Sequence, residues 1–209
     1  YRSCRNSMPY LAVMPICGAH CPMAVLGRIG HPSTTTHGLH TMTISLYQSS
    51  VPVFVRTLGN LSRILDKAVA HAADKGLDAS TLVNARLATD MFPLARQVQS
   101  ACDAAKLATA RLSGVQAPVH ADTETTFGQL QERIHQTLAF LRSVDAAQID
   151  GQEDRPVTLK TPSRELAFTG QSYLLGFALP NFFFHVTTAY AILRHEGVAL
   201  GKMDYLGAA

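Results

Sequence analysis

Between Ala178 and Gly197 the chain reads ALPNFFFHVTTAYAILRHEG, which sets His185 and His195 on one stretch of helical spacing. Imidazoles lend themselves to two kinds of chemistry, metal ligation and proton transfer. Residues ten apart on a helix differ by about 80° in azimuth and about 15 Å along the axis, so these two cannot share an ion. One turn from His185 stand Asn181, Thr188 and Ala189, none of them a good zinc ligand. His195, between Arg194 and Glu196, reads as a surface residue favoured by the helix C-terminus. His185 lies beside the apolar stripe of Phe182, Val186, Ala189 and Leu193. There it reads as a hydrogen-bonded core residue sooner than a ligand, and in an enzyme it would serve as general base or single metal ligand.

Other side chains are weighed in the same way. Gln97 falls between Leu94 and Ala101 and is the inward polar residue of its helix, but an amide is a weak ligand beside an imidazole. Tyr173 and Tyr190 are placed to line an inter-helix cleft with Asn181 and His185, although tyrosine there is commonly a core residue with a satisfied hydroxyl. Asp90 precedes Met91-Phe92-Pro93 and reads as a cap of the next helix or as a catalytic base. Cys102 has Asp103 beside it and no fixed cation to lower its pKa, so it reads as a small core residue. No nucleophile elbow, P-loop or dinucleotide fingerprint occurs. The catalytic candidates are His185, Tyr190 and Asp90. The ligand-binding candidates are Gln97, Asn181, His185 and Tyr173. No metal set and no cofactor are expected.

Helices must position these groups. Val51, Phe54, Leu58, Leu61, Leu65 and Ala68 alternate by three and four, the stripe of an amphipathic helix that stops at Lys75-Gly76. Ser80 is placed to cap a short segment with Leu82 and Val83. The second long helix is expected from about Phe92 to Leu112, with Pro93 in its first turn, and its stripe is Leu94, Val98, Ala101, Ala105, Ala108 and Leu112. That small-residue face allows close approach of a neighbour. Thr126 and Gln129 have capping-box spacing ahead of Phe127, Leu130, Ile134, Leu138, Leu141 and Val144. RPVTLK and ELAFTG alternate with period two around TPSR, a short hairpin. A helical turn at Tyr173–Phe177 and a fourth long helix from Pro180 to before Gly197 complete a helical bundle.

The charge balance changes at Met42. Before it lie Arg2, Arg5 and Arg28, four histidines, three cysteines and no acidic residue. Taking those three arginines from the 18 basic residues leaves 15, against 15 acidic ones, from Met42 onward. The net charge of +3 therefore belongs to residues 1–41, and the domain offers no basic surface for nucleic acid. No run of about 18 apolar residues marks a membrane span. Residues 1–41 lack periodicity and read as an unstructured leader, outside a native domain of 42–209. Upstream sequence ahead of a Met42 start is one reading and a transit peptide its rival. Cys4, Cys17, His20 and Cys21 offer one C-x3-C pair without the second pair a zinc site usually has.

The strings ATDMFPLARQVQSACDAAKLATARLSG, FTGQSYLLGFALPNFFFHVTTAYAILRHEGVALGKMDYLG and MTISLYQSSVPVFVRTLGNLSRILDKA resemble the uncharacterised family DUF1993. The resemblance spans Met42 to Gly207. It implies a DinB/YfiT-like fold, an all-α four-helix bundle with a small hairpin between the third and fourth long helices. It also implies a divalent metal on three histidines, one on the second helix and an H-x-x-x-H pair on the last, and, in some relatives, transfer or isomerisation of thiol conjugates. Only His185 matches that pattern here, since Ala189 stands at the second place of the pair and Gln97 at the inward place on the second helix. The expectation is a cytoplasmic bundle, monomer or homodimer, that binds a small ligand or a partner and lacks the metal site. The alternative is a divergent enzyme that uses His185.

Overall fold

The computed structural model describes residues 44–160 and 164–207; the readings placed on Cys4, Cys17, His20, Cys21 and the rest of residues 1–41 lie outside them. The chain here is mostly helical, with one two-stranded antiparallel hairpin. Four helices are long: α1 (Val51–Lys75), α3 (Leu94–Ser113), α4 (Phe127–Arg142) and α6 (Leu179–His195). Short helices α2 (Ala79–Asn84), α5 (Gly170–Tyr173) and α7 (Lys202–Leu206) fill the connections, and β1 (Pro156–Lys160) pairs with β2 (Glu165–Thr169).

The apolar stripes become one core. Phe54, Leu58, Leu61 and Leu65 of α1 are fully buried, as are Leu94, Val98, Ala101, Ala105, Ala108 and Leu112 of α3. Small side chains on α3 let α6 lie against it, and α1 packs on α4 and α6. Phe54 meets Phe182 edge to face with ring centroids 4.9 Å apart. Gly76 ends α1 in the left-handed conformation. Gly114 does the same for α3, at φ 79°, and the Arg155 guanidinium lies 2.6 Å from where a Cβ would stand. α4 opens on the expected capping box, with the Gln129 N–H donating to Thr126 Oγ1 and the Gln129 side chain accepting from the Thr126 N–H.

Three local expectations are corrected. Asp78, not Ser80, caps α2, because its carboxylate accepts from both the N–H and the hydroxyl of Ser80. Asp90 caps nothing: it is exposed in the turn Ala88–Met91, and α3 begins after Pro93, its N–H at Leu94 already bonded to the Ala85 carbonyl at 2.9 Å. The last helix, expected from Pro180, opens one residue earlier at Leu179 and is continuous with the expected turn before it. Helical backbone runs from Gly170 through a π-helical turn, Leu174–Ala178, into α6. Pro180 lacks an N–H and its ring crowds the carbonyl four residues back. The backbone relaxes into a wider turn in which the Leu179 N–H reaches the Leu174 carbonyl, five residues away. Helix α7 was not anticipated at all; Asn60 holds it by donating to the Tyr205 carbonyl at 2.8 Å, and Lys67 pairs with Asp204.

Candidate functional site

A pocket of about 350 Å³ opens beside α3, walled by the wide turn and start of α6 and by the end of β1. Tyr173, Asn181 and His185 line it from the last helix. An unbroken α-helix would set Tyr173 and His185 about 120° apart in azimuth. The wide turn takes up roughly one additional residue, about 100°, and returns both side chains to one face. The hairpin is held against this turn by rings: Phe168 lies 6.0 Å from Tyr173 and 6.1 Å from Phe177, and Tyr173 stacks on Phe177 at 6.0 Å.

Gln97, buried at 1% exposure, stands behind His185. Its Nε2 donates to the Phe92 carbonyl at 3.3 Å, which orients the amide so that Oε1 faces His185 Nδ1 at 2.8 Å. An amide oxygen only accepts, so Nδ1 carries the proton and Nε2 is left as the acceptor of the neutral ring. Burial first, then the positive charge of Arg96, holds the imidazole below its ordinary pKa. His185 is thus a neutral, oriented acceptor.

The expected candidates divide. Tyr173, Asn181 and His185 come together with Gln97 behind them. Tyr190 does not join them: five residues beyond His185 it is turned by about 140°, and it packs edge to face on Tyr205 at 6.0 Å. Asp90 is exposed and is not part of the pocket wall. His195 is exposed in the last turn of α6. Cys102 is fully buried, and burial pushes its thiol up to about 12, so it is no nucleophile.

The charged groups of the pocket were missed. Arg96, Ser100, Asp103, Ala104, Leu107 and Arg111 form a second stripe of α3 on the pocket wall, and their spacing of three and four was readable beside the apolar stripe. Arg111 donates to the Tyr173 hydroxyl at 2.9 Å and lies 5.6 Å from that ring's centroid. Arg96 pairs with Asp122 at 2.5 Å. Asp103 belongs to a buried ion cluster: Arg133, with a side chain 1% exposed, reaches Asp103 at 2.9 Å, Asp122 at 2.7 Å and Glu124 at 2.9 Å. Lys106 adds a contact to Asp103 at 2.8 Å and one to His120 Nδ1 at 3.2 Å. This cluster ties the segment before α4 to α3 and fixes the pocket's far rim.

Residues 46–206 match the family described as Domain of unknown function (DUF1993). The chain belongs to the DUF1993 family. A crystal structure of a DinB family member from Shewanella denitrificans is 44% identical, with a TM-score of 0.72, over 78% of this chain and 93% of that one. No curated protein matches. Every pocket residue of this DUF1993 chain, from Arg96 to His185, falls within the matched span. Among the described residues, no helix is long and apolar enough to cross a membrane.

Proposed function

We propose that this DUF1993 protein is a DinB-like four-helix bundle that binds a small molecule in the pocket between α3 and the last helix, without the three-histidine metal site of better-studied relatives. One observation carries the reading: Tyr173, Asn181 and a neutral His185 meet on one concave surface of mixed polar and apolar lining, with Gln97 fixing the imidazole. A few converging polar groups in a pocket of this size are what small-ligand sites consist of. The donor set does not suit a divalent ion. It has one imidazole, the amides of Asn181 and Gln97, and one carboxylate, Asp103, already held by Lys106 and Arg133, while Ala189, fully buried, fills the place one turn on. The nearby Arg96, Arg111 and Lys160 are cations that raise the electrostatic cost of a second positive charge.

The neutral imidazole also favours a second reading, a divergent enzyme in which His185 Nε2 takes a proton from the bound molecule. A thermal-shift screen of metabolite-sized compounds separates these from a merely structural role. Hits that raise the melting temperature of the wild type and lose their effect in Asn181→Ala and His185→Ala support the pocket. Hits unaffected by both variants refute it. Turnover of a hit that disappears in His185→Gln, with binding retained, selects the enzyme.

A further inference from the structure

We propose that the pocket takes a small organic anion, its charged head on Arg111 and its apolar body along Leu107, Leu159 and Phe177. The inference rests on the reading of this pocket as a ligand site and adds the ligand's chemical class. Four charged side chains line the pocket, Arg96, Arg111 and Lys160 against Asp103. Three of them are already matched. Asp103 is held by Lys106 and Arg133, Arg96 by Asp122, and Lys160 lies 3.9 Å from Glu165. Arg111 is the exception: among the described residues no carboxylate comes within 4.0 Å of it.

The guanidinium is nevertheless fixed in place. It is half-buried, spends one donor on the Tyr173 hydroxyl and lies over that ring, so four of its five donors remain for a ligand. A planar fork held in advance loses little freedom on binding a carboxylate-like group, and two parallel hydrogen bonds give it direction. The rest of the wall is suited to an uncharged body, with Ala104, Leu107, Leu159 and Phe177 facing the same space. A ligand donor group near His185 would meet the free acceptor of its ring.

Isothermal titration of the full chain with 4-phenylbutyrate and with 4-phenylbutan-1-ol, which share a body and differ in charge, tests this. The acid should bind more tightly than the alcohol. Arg111→Gln should weaken the acid by about tenfold to a hundredfold and leave the alcohol unchanged, while Arg111→Lys, which keeps the charge, should retain the preference for the acid. Ala104→Phe, which fills the cavity, should remove both. Equal binding of acid and alcohol, or an acid affinity untouched by Arg111→Gln, overturns the inference and leaves the pocket reading standing. Binding of both probes to Ala104→Phe places them elsewhere and overturns it too. If neither probe binds the wild type, the inference falls together with the pocket reading.

Discussion

His185 Nδ1 sits 2.8 Å from Gln97 Oε1, a contact that joins the last helix to the second long one across 88 residues of chain. It decides which ring nitrogen holds the proton, and so which one is offered to the pocket. Burial, and then the charge of Arg96, holds the ring below its ordinary pKa and so neutral.

The pH dependence follows from that. A histidine whose folded pKa lies below its unfolded value, about 6.5, binds fewer protons folded than unfolded. Its contribution to stability is therefore fully present above the unfolded pKa and declines as pH falls below it. Urea unfolding from pH 7.5 down to 5 should show a steeper loss for the wild type than for His185→Gln. His120, also lowered by burial and Lys106, contributes the same sign to both proteins and cancels in the comparison. Parallel curves would mean that the imidazole is not held neutral.

Arg133 is the charge on which the buried cluster depends. Burial alone would push Asp122 and Glu124 up, but hydrogen bonds and charge from Arg133, with Arg96 at Asp122 and Gln99 at Glu124, outweigh it and both lie below the ordinary carboxylate value. Arg133→Ala should cost about 3–5 kcal/mol at pH 7, since it removes the one buried cation that Asp103, Asp122 and Glu124 share and leaves Asp122, Asp103 and Glu124 only Arg96, Lys106 and Gln99 respectively. In the wild type these acids contribute stability above their unfolded pKa values that is lost as pH falls through the folded ones. In the variant the part of that benefit owed to Arg133 is gone, so the gap between the two proteins should narrow from pH 7 to pH 4. A gap that widens on acidification contradicts the assignment.

Ala105 belongs to the apolar stripe of α3. It is fully buried on the small-residue face that meets the core. Ala105→Leu should overpack that face at a cost of about 1–3 kcal/mol by urea unfolding. A neutral result would mean that the helices part there more readily than the packing implies.

These stripes were legible because burial of one helix face repeats every three or four residues whatever the neighbour is. The Thr126–Gln129 box was legible because both of its bonds are local. What escaped the sequence depends on contacts distant along the chain. The wide turn at Leu174–Ala178 arises from Pro180 acting inside a longer helix, and it is this turn that aligns Tyr173 with His185. Helix α7 is anchored by Asn60 and Lys67, over 130 residues away. Of the residues around the pocket, Tyr173, Asn181, His185 and Gln97 stand out in the sequence from their place beside the stripes. Arg96 and Arg111 do not, since they lie off the apolar stripe of α3 and only the packing of the hairpin and the last helix turns that side into a pocket wall. Tyr190 stands about 140° from His185 around the helix and packs on Tyr205 instead.

The proposed pocket at His185 takes a small molecule and no metal. Native mass spectrometry of the untagged chain, purified from cells, reads both alternatives as mass. The protein should carry well under one equivalent of zinc, nickel or iron, and any organic adduct present should disappear in Ala104→Phe. A stoichiometric metal adduct that is lost in His185→Ala would contradict it.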